Sequence, residues 1–117
     1  LIVAGSGLKG VVATRAVDFR KGHDGLLAVV EHEFGLDPYS GLVFVFRPKR
    51  ADRLKVLWWD GTGVMLASKR PEQGRFAWPA VRDGVMRLSR AQFEALFEGL
   101  DWRWVWGPRV RQPRAAA

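Results

Sequence analysis

The chain has 117 residues, no cysteine, and 19 Lys and Arg against 12 Asp and Glu, for a formal charge of +7. That length gives one domain with a tail, and the absence of cysteine excludes disulfides, thiolate catalysis and sulfur-ligated zinc. No apolar run reaches the roughly 18 residues of a membrane span, and the opening residues lack the basic region and long apolar stretch of a signal peptide, so a cytoplasmic setting without a membrane partner is expected. The chain opens on Leu1 rather than methionine, as expected of a fragment or of translation from an unusual start codon.

Residues 1–7 are expected to be a flexible start. Leu8 to Ala16 alternates weakly, the pattern of a first strand loosened by Gly5, Gly7 and Gly10. Next, Leu26, Leu27, Val30 and Phe34 recur at helical spacing and Gly35 is placed to end the helix, with a start near Asp24 and Asp18 or Asp24 as cap. Turn residues from Leu36 to Gly41 lead into a sheet. Leu42 to Arg47 and Arg53 to Trp59 are β-branched and aromatic runs joined by Pro48-Lys49-Arg50-Ala51-Asp52, a polar connection of hairpin length. Asp60-Gly61 favours the positive φ of a tight turn, Val64 to Lys69 returns as the third strand of a meander, and Arg75 to Trp78 is a candidate fourth, stopped by Pro79. Val85 to Leu88 reads as a brief strand. Ser89 and Gln92 have capping-box spacing ahead of Phe93, Leu96, Phe97 and Leu100, the apolar stripe of a second helix packed on the sheet. Trp102, Trp104 and Trp106 alternate, and Gly107-Pro108 lies in a basic tail, 104–117, expected to be disordered.

Alternation of side chains divides each strand into two sets. Leu42, Phe44, Phe46, Leu54, Val56, Trp58, Val64, Leu66, Phe76 and Trp78 form an apolar core face. The other set, Val43, Val45, Arg47, Arg53, Lys55, Leu57, Trp59, Met65, Ala67, Lys69 and Arg75, mixes cations with apolar groups. Two readings fit that mixture. Either it is a partner surface, or it is covered by the first helix, with Trp59 in the core and the cations reaching out along the edges.

Charge is concentrated in the same region. Residues 41–79 hold eight cations against three carboxylates, a balance of +5, while 1–40 come to −1 and 80–117 to +3. Cations neutralise phosphates and an exposed indole stacks on an unpaired base. Arg47, Arg53, Lys55, Trp59, Lys69, Arg70 and Arg75 are therefore the candidate nucleic-acid or partner-binding residues. Arg20 and Lys21, just ahead of the first helix, are candidate phosphate contacts, against the plainer reading of a solvated turn. His23 and His32 have no ligand-pair spacing on one helix face. No serine has a nucleophile context, no phosphate-binding Gly-rich loop with its lysine occurs, and Asp18, Asp60 and Asp101 are each explained locally as cap or loop, turn former and post-helix residue. No catalytic residue, metal site or cofactor is expected.

These motifs resemble those of a known family, the TnpB or Orf2-like accessory proteins of insertion sequence sixty-six transposable elements. The resemblance rests on VDFRKGHDGL, on GLVFVFRPKRADRLKVLWWDGTG, on the KR-x-x-x-GRFAWP run at Lys69 to Pro79, and on the LS-x-x-Q-F-x-x-L-F-x-G-L-DW run at Leu88 to Trp102, which together cover most of residues 8–103. His23, Ser68 and Pro71 depart from its usual pattern. The resemblance implies a non-catalytic bacterial protein encoded beside a separate transposase, needed for transposition and nucleoid-associated while it acts. It supplies no functional residues to carry over.

The expected architecture is α+β, a mostly antiparallel sheet of three to five strands with two main helices in one domain, 8–103. The expected partners are DNA and the element's transposase, with a homo-oligomer open. The alternative is an interaction module that docks the transposase or a second copy through Trp59, Leu57 and Val45 without touching DNA.

Overall fold

The computed structural model describes residues 10–50, 52–80 and 84–105. Five strands form one sheet: β1 Gly10–Ala13, β2 Val43–Phe46, β3 Leu54–Trp59, β4 Val64–Lys69 and β5 Val85–Leu88, in the order β4-β3-β2-β1-β5. Three of the four pairings are antiparallel, and β1 runs parallel to β2. A parallel pair needs a crossover. Here it is α1, His23–Ala28, prolonged by a π-helical segment Val29–Glu33. Gly35, at φ 64°, ends it in the left-handed conformation that glycine adopts without a Cβ penalty. The expected aspartate cap is absent: the N-cap is Gly22, without a side-chain hydrogen bond. Asp18 instead accepts from the backbone N–H of Arg20 at 2.9 Å and binds its guanidinium.

Helix α2, Arg90–Phe97, opens on the expected capping box, with Gln92 N–H donating to Ser89 Oγ at 3.2 Å and Ser89 N–H to Gln92 Oε1 at 3.0 Å. Phe93, Ala95 and Leu96 are its buried residues. Leu100 is not part of that stripe. The helix stops at Phe97, Gly99 turns the chain at φ 79°, and Leu100 is left 61% exposed. A 3-10 turn follows, Trp102–Trp104, in which Trp102 is buried and its Nε1 donates to Ala77 O at 2.6 Å. That bond ties the chain's later half to the segment after β4. This segment, 70–80, is not a strand: Phe76 and Trp78 pack instead against the α2-side core. Trp104 and Val105, the first residues of the expected tail, are placed, while the expected flexible start and the tail beyond Val105 lie outside the described residues.

The sheet is covered on both faces. On the α2 side lie Val12, Val43, Val45, Leu54, Val56, Trp58 and Leu88; on the α1 side lie Val11, Ala13, Phe44, Phe46 and Leu57, with Val64 and Leu66 partly buried beside them. This corrects the expected division of side chains. The register pairs Phe44 with Leu57 and Phe46 with Lys55, so the phenylalanines of β2 share a face with the mixed set of β3, not with Val56 and Trp58. Because the side-chain period is 2, an offset of one residue across the β2–β3 connection exchanges the two faces of β3, while Val64 and Leu66 of β4 share the face of Phe44 and Phe46 as expected.

Candidate functional site

With both faces buried, six of the basic side chains gather at one end of the sheet. Ala13 pairs with Val85, Phe46 with Lys55 and Leu54 with Lys69, so the ends of β1, β2 and β4 and the beginnings of β3 and β5 lie together. The loop after β1 stays there too, since Val17 N–H donates to Arg47 O at 2.9 Å. Arg15, Arg47, Lys49, Arg50, Arg53 and Arg70 therefore flank one sheet end. Lys49, Arg50, Arg53 and Arg70 are exposed and make no side-chain hydrogen bond or ion pair among the described residues.

The expected site residues have distinct surroundings. Lys55 points to the α1 face, where its Nζ donates to Phe19 O at 2.6 Å and Lys21 O at 3.1 Å and lies 5.1 Å from the Phe19 ring centroid. Lys69 points the other way. Its Nζ donates to Phe97 O at 2.6 Å, closing the C-terminal carbonyls of α2 with a cation, and lies 4.2 Å from the Phe97 ring centroid. Arg47 is half-buried, its guanidinium 5.6 Å from the Trp78 ring centroid. Trp59 is half-buried against the edge of Tyr39, centroids 5.4 Å apart at 88°. Arg75 is exposed on the 70–80 segment. Arg20 is exposed but already paired, Nη2 to Asp18 Oδ2 at 2.7 Å, and Lys21 is exposed beside it. The surface expected from Trp59, Leu57 and Val45 does not form, because Val45 and Leu57 are buried on opposite faces.

Lys49, Arg50 and Phe19, which line a cleft here, were not among the expected site residues. The signal was the run Arg47-Pro48-Lys49-Arg50: cations clustered at a connection mark the end of a sheet, not a face. Phe19, Pro48, Lys49, Arg50, Asp52 and Arg53 line a cleft of about 270 Å³ at this end. A second of about 640 Å³ is lined by Arg15 to Val17, Glu33, Phe34 and Gly84, one carboxylate to one arginine.

A stability test follows for Lys55. Lys55→Met keeps the packing length but leaves the Phe19 and Lys21 carbonyls without their charged donor, a loss of about 2 kcal/mol. Urea unfolding would show it as a lower midpoint at unchanged slope; an unaltered midpoint would mean that this ammonium is not structurally engaged.

The acidic residues are in turns. Asp60 Oδ1 accepts from the N–H groups of Thr62 at 2.9 Å and Gly63 at 2.8 Å, while Gly61 supplies the positive φ of 105°. Asp101 holds Arg103, Nη2 to Oδ2 at 2.8 Å. No group of three His, Cys, Asp or Glu suited to a metal ion occurs among the described residues. Hydrogen bonds from the Arg20 side chain and backbone lower the Asp18 pKa to about 2; backbone N–H donors lower that of Asp60, and the Arg103 side chain that of Asp101. A carboxylate whose folded pKa lies below its unfolded value of about 3.9 supports the fold above that pH and ceases to as pH falls through the folded pKa. Thermal stability is thus expected to be insensitive to these groups from pH 7 to 5 and to fall below about pH 4. Carboxyl NMR titration should give Asp18 a midpoint near 2; a midpoint near 4 would show that its turn does not form.

Comparison with known proteins adds the lineage. The model of the family described as "IS66 Orf2 like protein" matches residues 9–106. The "Uncharacterized protein y4jC" of Sinorhizobium fredii is 46% identical over 111 residues, 95% of each chain. The "Uncharacterized protein y4hO" of the same organism is 38% identical over 103 residues, 88% of this chain and 90% of that one. No solved structure matches the chain.

Proposed function

The chain belongs to the IS66 Orf2-like family, and from that premise we propose that it is a non-catalytic accessory factor in the transposition of a bacterial insertion sequence, holding DNA by its phosphates at the basic end of the sheet. The observation that carries this is the convergence of exposed Lys49, Arg50, Arg53 and Arg70 at one sheet end. Four cations without anionic partners among the described residues form a site for a polyanion, and their bond to it is electrostatic. Counterion release then sets the test, because each neutralised phosphate contributes about −0.9 to the slope of log K against log salt on duplex DNA. Four contacts give a slope of about −3.6. Fluorescence anisotropy titrations at several salt concentrations measure it, and absence of binding at low salt refutes the proposal.

The transposase of the same element is the proposed protein partner. Leu100 and Trp104, 61% and 77% exposed, stand four residues apart just beyond α2 and are the side chains best suited to that contact. Co-purification with the transposase, with and without terminal-repeat DNA, tests it: Trp104→Ala should lose transposase and keep DNA.

A further inference from the structure

The cleft at the basic end does more than attract charge, and we infer that it receives a single unpaired nucleotide of a DNA strand. This rests on the DNA-binding reading above and adds the form of DNA that is bound. Phe19, half-buried, and Pro48 give the cleft its apolar wall; Lys49, Arg50 and Arg53 stand around it. At about 270 Å³ it lies just under the range of sites for whole small molecules, roughly 300–1,000 Å³. It has room for one planar ring system.

The chemistry of the lining agrees. A phosphate alone would need only the three cations, and the Asp52 carboxylate in the same wall repels it. A nucleotide suits both. Its phosphate faces Lys49, Arg50 and Arg53, and the N–H groups on the edge of its base face the side of the cleft that Asp52 lines. The Phe19 ring supplies the apolar surface on which a base rests, and the Lys55 ammonium, held by the Phe19 and Lys21 carbonyls, keeps that loop against the sheet. A base within a duplex is stacked and paired and cannot enter, so the cleft distinguishes single strands, frayed ends and flaps from intact duplex.

The experiment compares a dye-labelled single strand of twelve nucleotides with the same sequence as duplex, at one salt concentration, using the full chain. Single-strand binding at least fivefold tighter is expected, since stacking on an aromatic side chain contributes about 1–3 kcal/mol per base. Phe19→Leu, which keeps apolar bulk but removes the ring, should weaken single-strand binding about tenfold and duplex binding less than twofold; Phe19→Tyr should restore it. A deoxynucleoside monophosphate should compete for the single strand, whereas inorganic phosphate at equal ionic strength should not. Equal affinity of wild-type protein for single strand and duplex overturns the inference without reference to any variant, and so does a folded Phe19→Leu protein that binds like wild type. Either result leaves electrostatic DNA binding standing if the salt slope is present. Absence of binding to both forms removes that reading and this inference together.

Discussion

Trp58→Ala is expected to cost about 3–5 kcal/mol, which is most or all of the stability of a domain this small. Trp58 is only 6% exposed and lies in the α2-side core with Val56, Phe93 and Trp102, so removing its indole leaves a cavity that strands on one side and a capped helix on the other cannot close. Trp59, its neighbour, points to the opposite face. There it is half-buried and meets the edge of Tyr39, itself 49% exposed, so Trp59→Ala forfeits an aromatic pair of about 0.5–1.5 kcal/mol and part of a side chain's burial. Urea unfolding of both variants should give Trp58→Ala at least twice the loss. Equal losses would mean that Trp59 is as deeply buried as Trp58, and that the α1 side closes more tightly over β3 than the fold described above.

Most elements could be read from local signals because local chemistry determines them. The Ser89 and Gln92 capping box, the Asp60-Gly61 turn, Gly35 as a helix stop and the limits of β4 depend on residues within a few positions of one another. The arrangement across strands does not. Alternation shows that Val56 and Leu57 face opposite ways, yet only the register with Phe44 shows which of them joins the phenylalanines. The mixed composition of one set was a clue to a second covering layer, because Val43, Val45 and Leu57 are too apolar for water. Lys55 and Lys69 concealed it. Each looked like a free cation, and each ends on backbone carbonyls of a neighbouring element.

Phe76 and Trp78 illustrate the same limit. Their alternation is that of a strand, but no neighbouring edge receives them, and Trp102, 25 residues further on, fixes the segment through the Ala77 carbonyl. A bond of that sequence separation has no local signature. The charge was legible in composition and its placement was not: residues 41–79 carry +5, and Lys49, Arg50 and Arg53 lie at the connection between β2 and β3, not on a sheet face.

Reversing charge at that connection is expected to produce the largest loss of binding. Lys49→Glu with Arg50→Glu changes the local charge by four units at two exposed side chains that hold no structural partner among the described residues, so folding should be unaffected. DNA affinity should fall about 100-fold at moderate salt, with the salt slope shallower by about 1.8 for two lost phosphate contacts. A uniform change in net charge would also weaken binding, which is why the matched control matters. Arg87→Glu with Arg90→Glu alters the charge equally, breaking only the exposed Arg90–Glu94 pair at 3.2 Å, but Arg87 pairs with Val11 and Leu88 with Gly10, placing both arginines toward the opposite end of the sheet. That variant should lose less than about fivefold and keep the wild-type slope, because at 0.1 M salt charges more than about 10 Å from the DNA are largely screened. Anisotropy titrations of the two double variants, paired with melting curves, decide the matter. Equal losses would show that no part of the surface is a DNA interface and that the protein attracts DNA only by its overall charge, whereas a loss confined to the Lys49 and Arg50 variant places the phosphate contacts at the end of the sheet where β2 turns into β3.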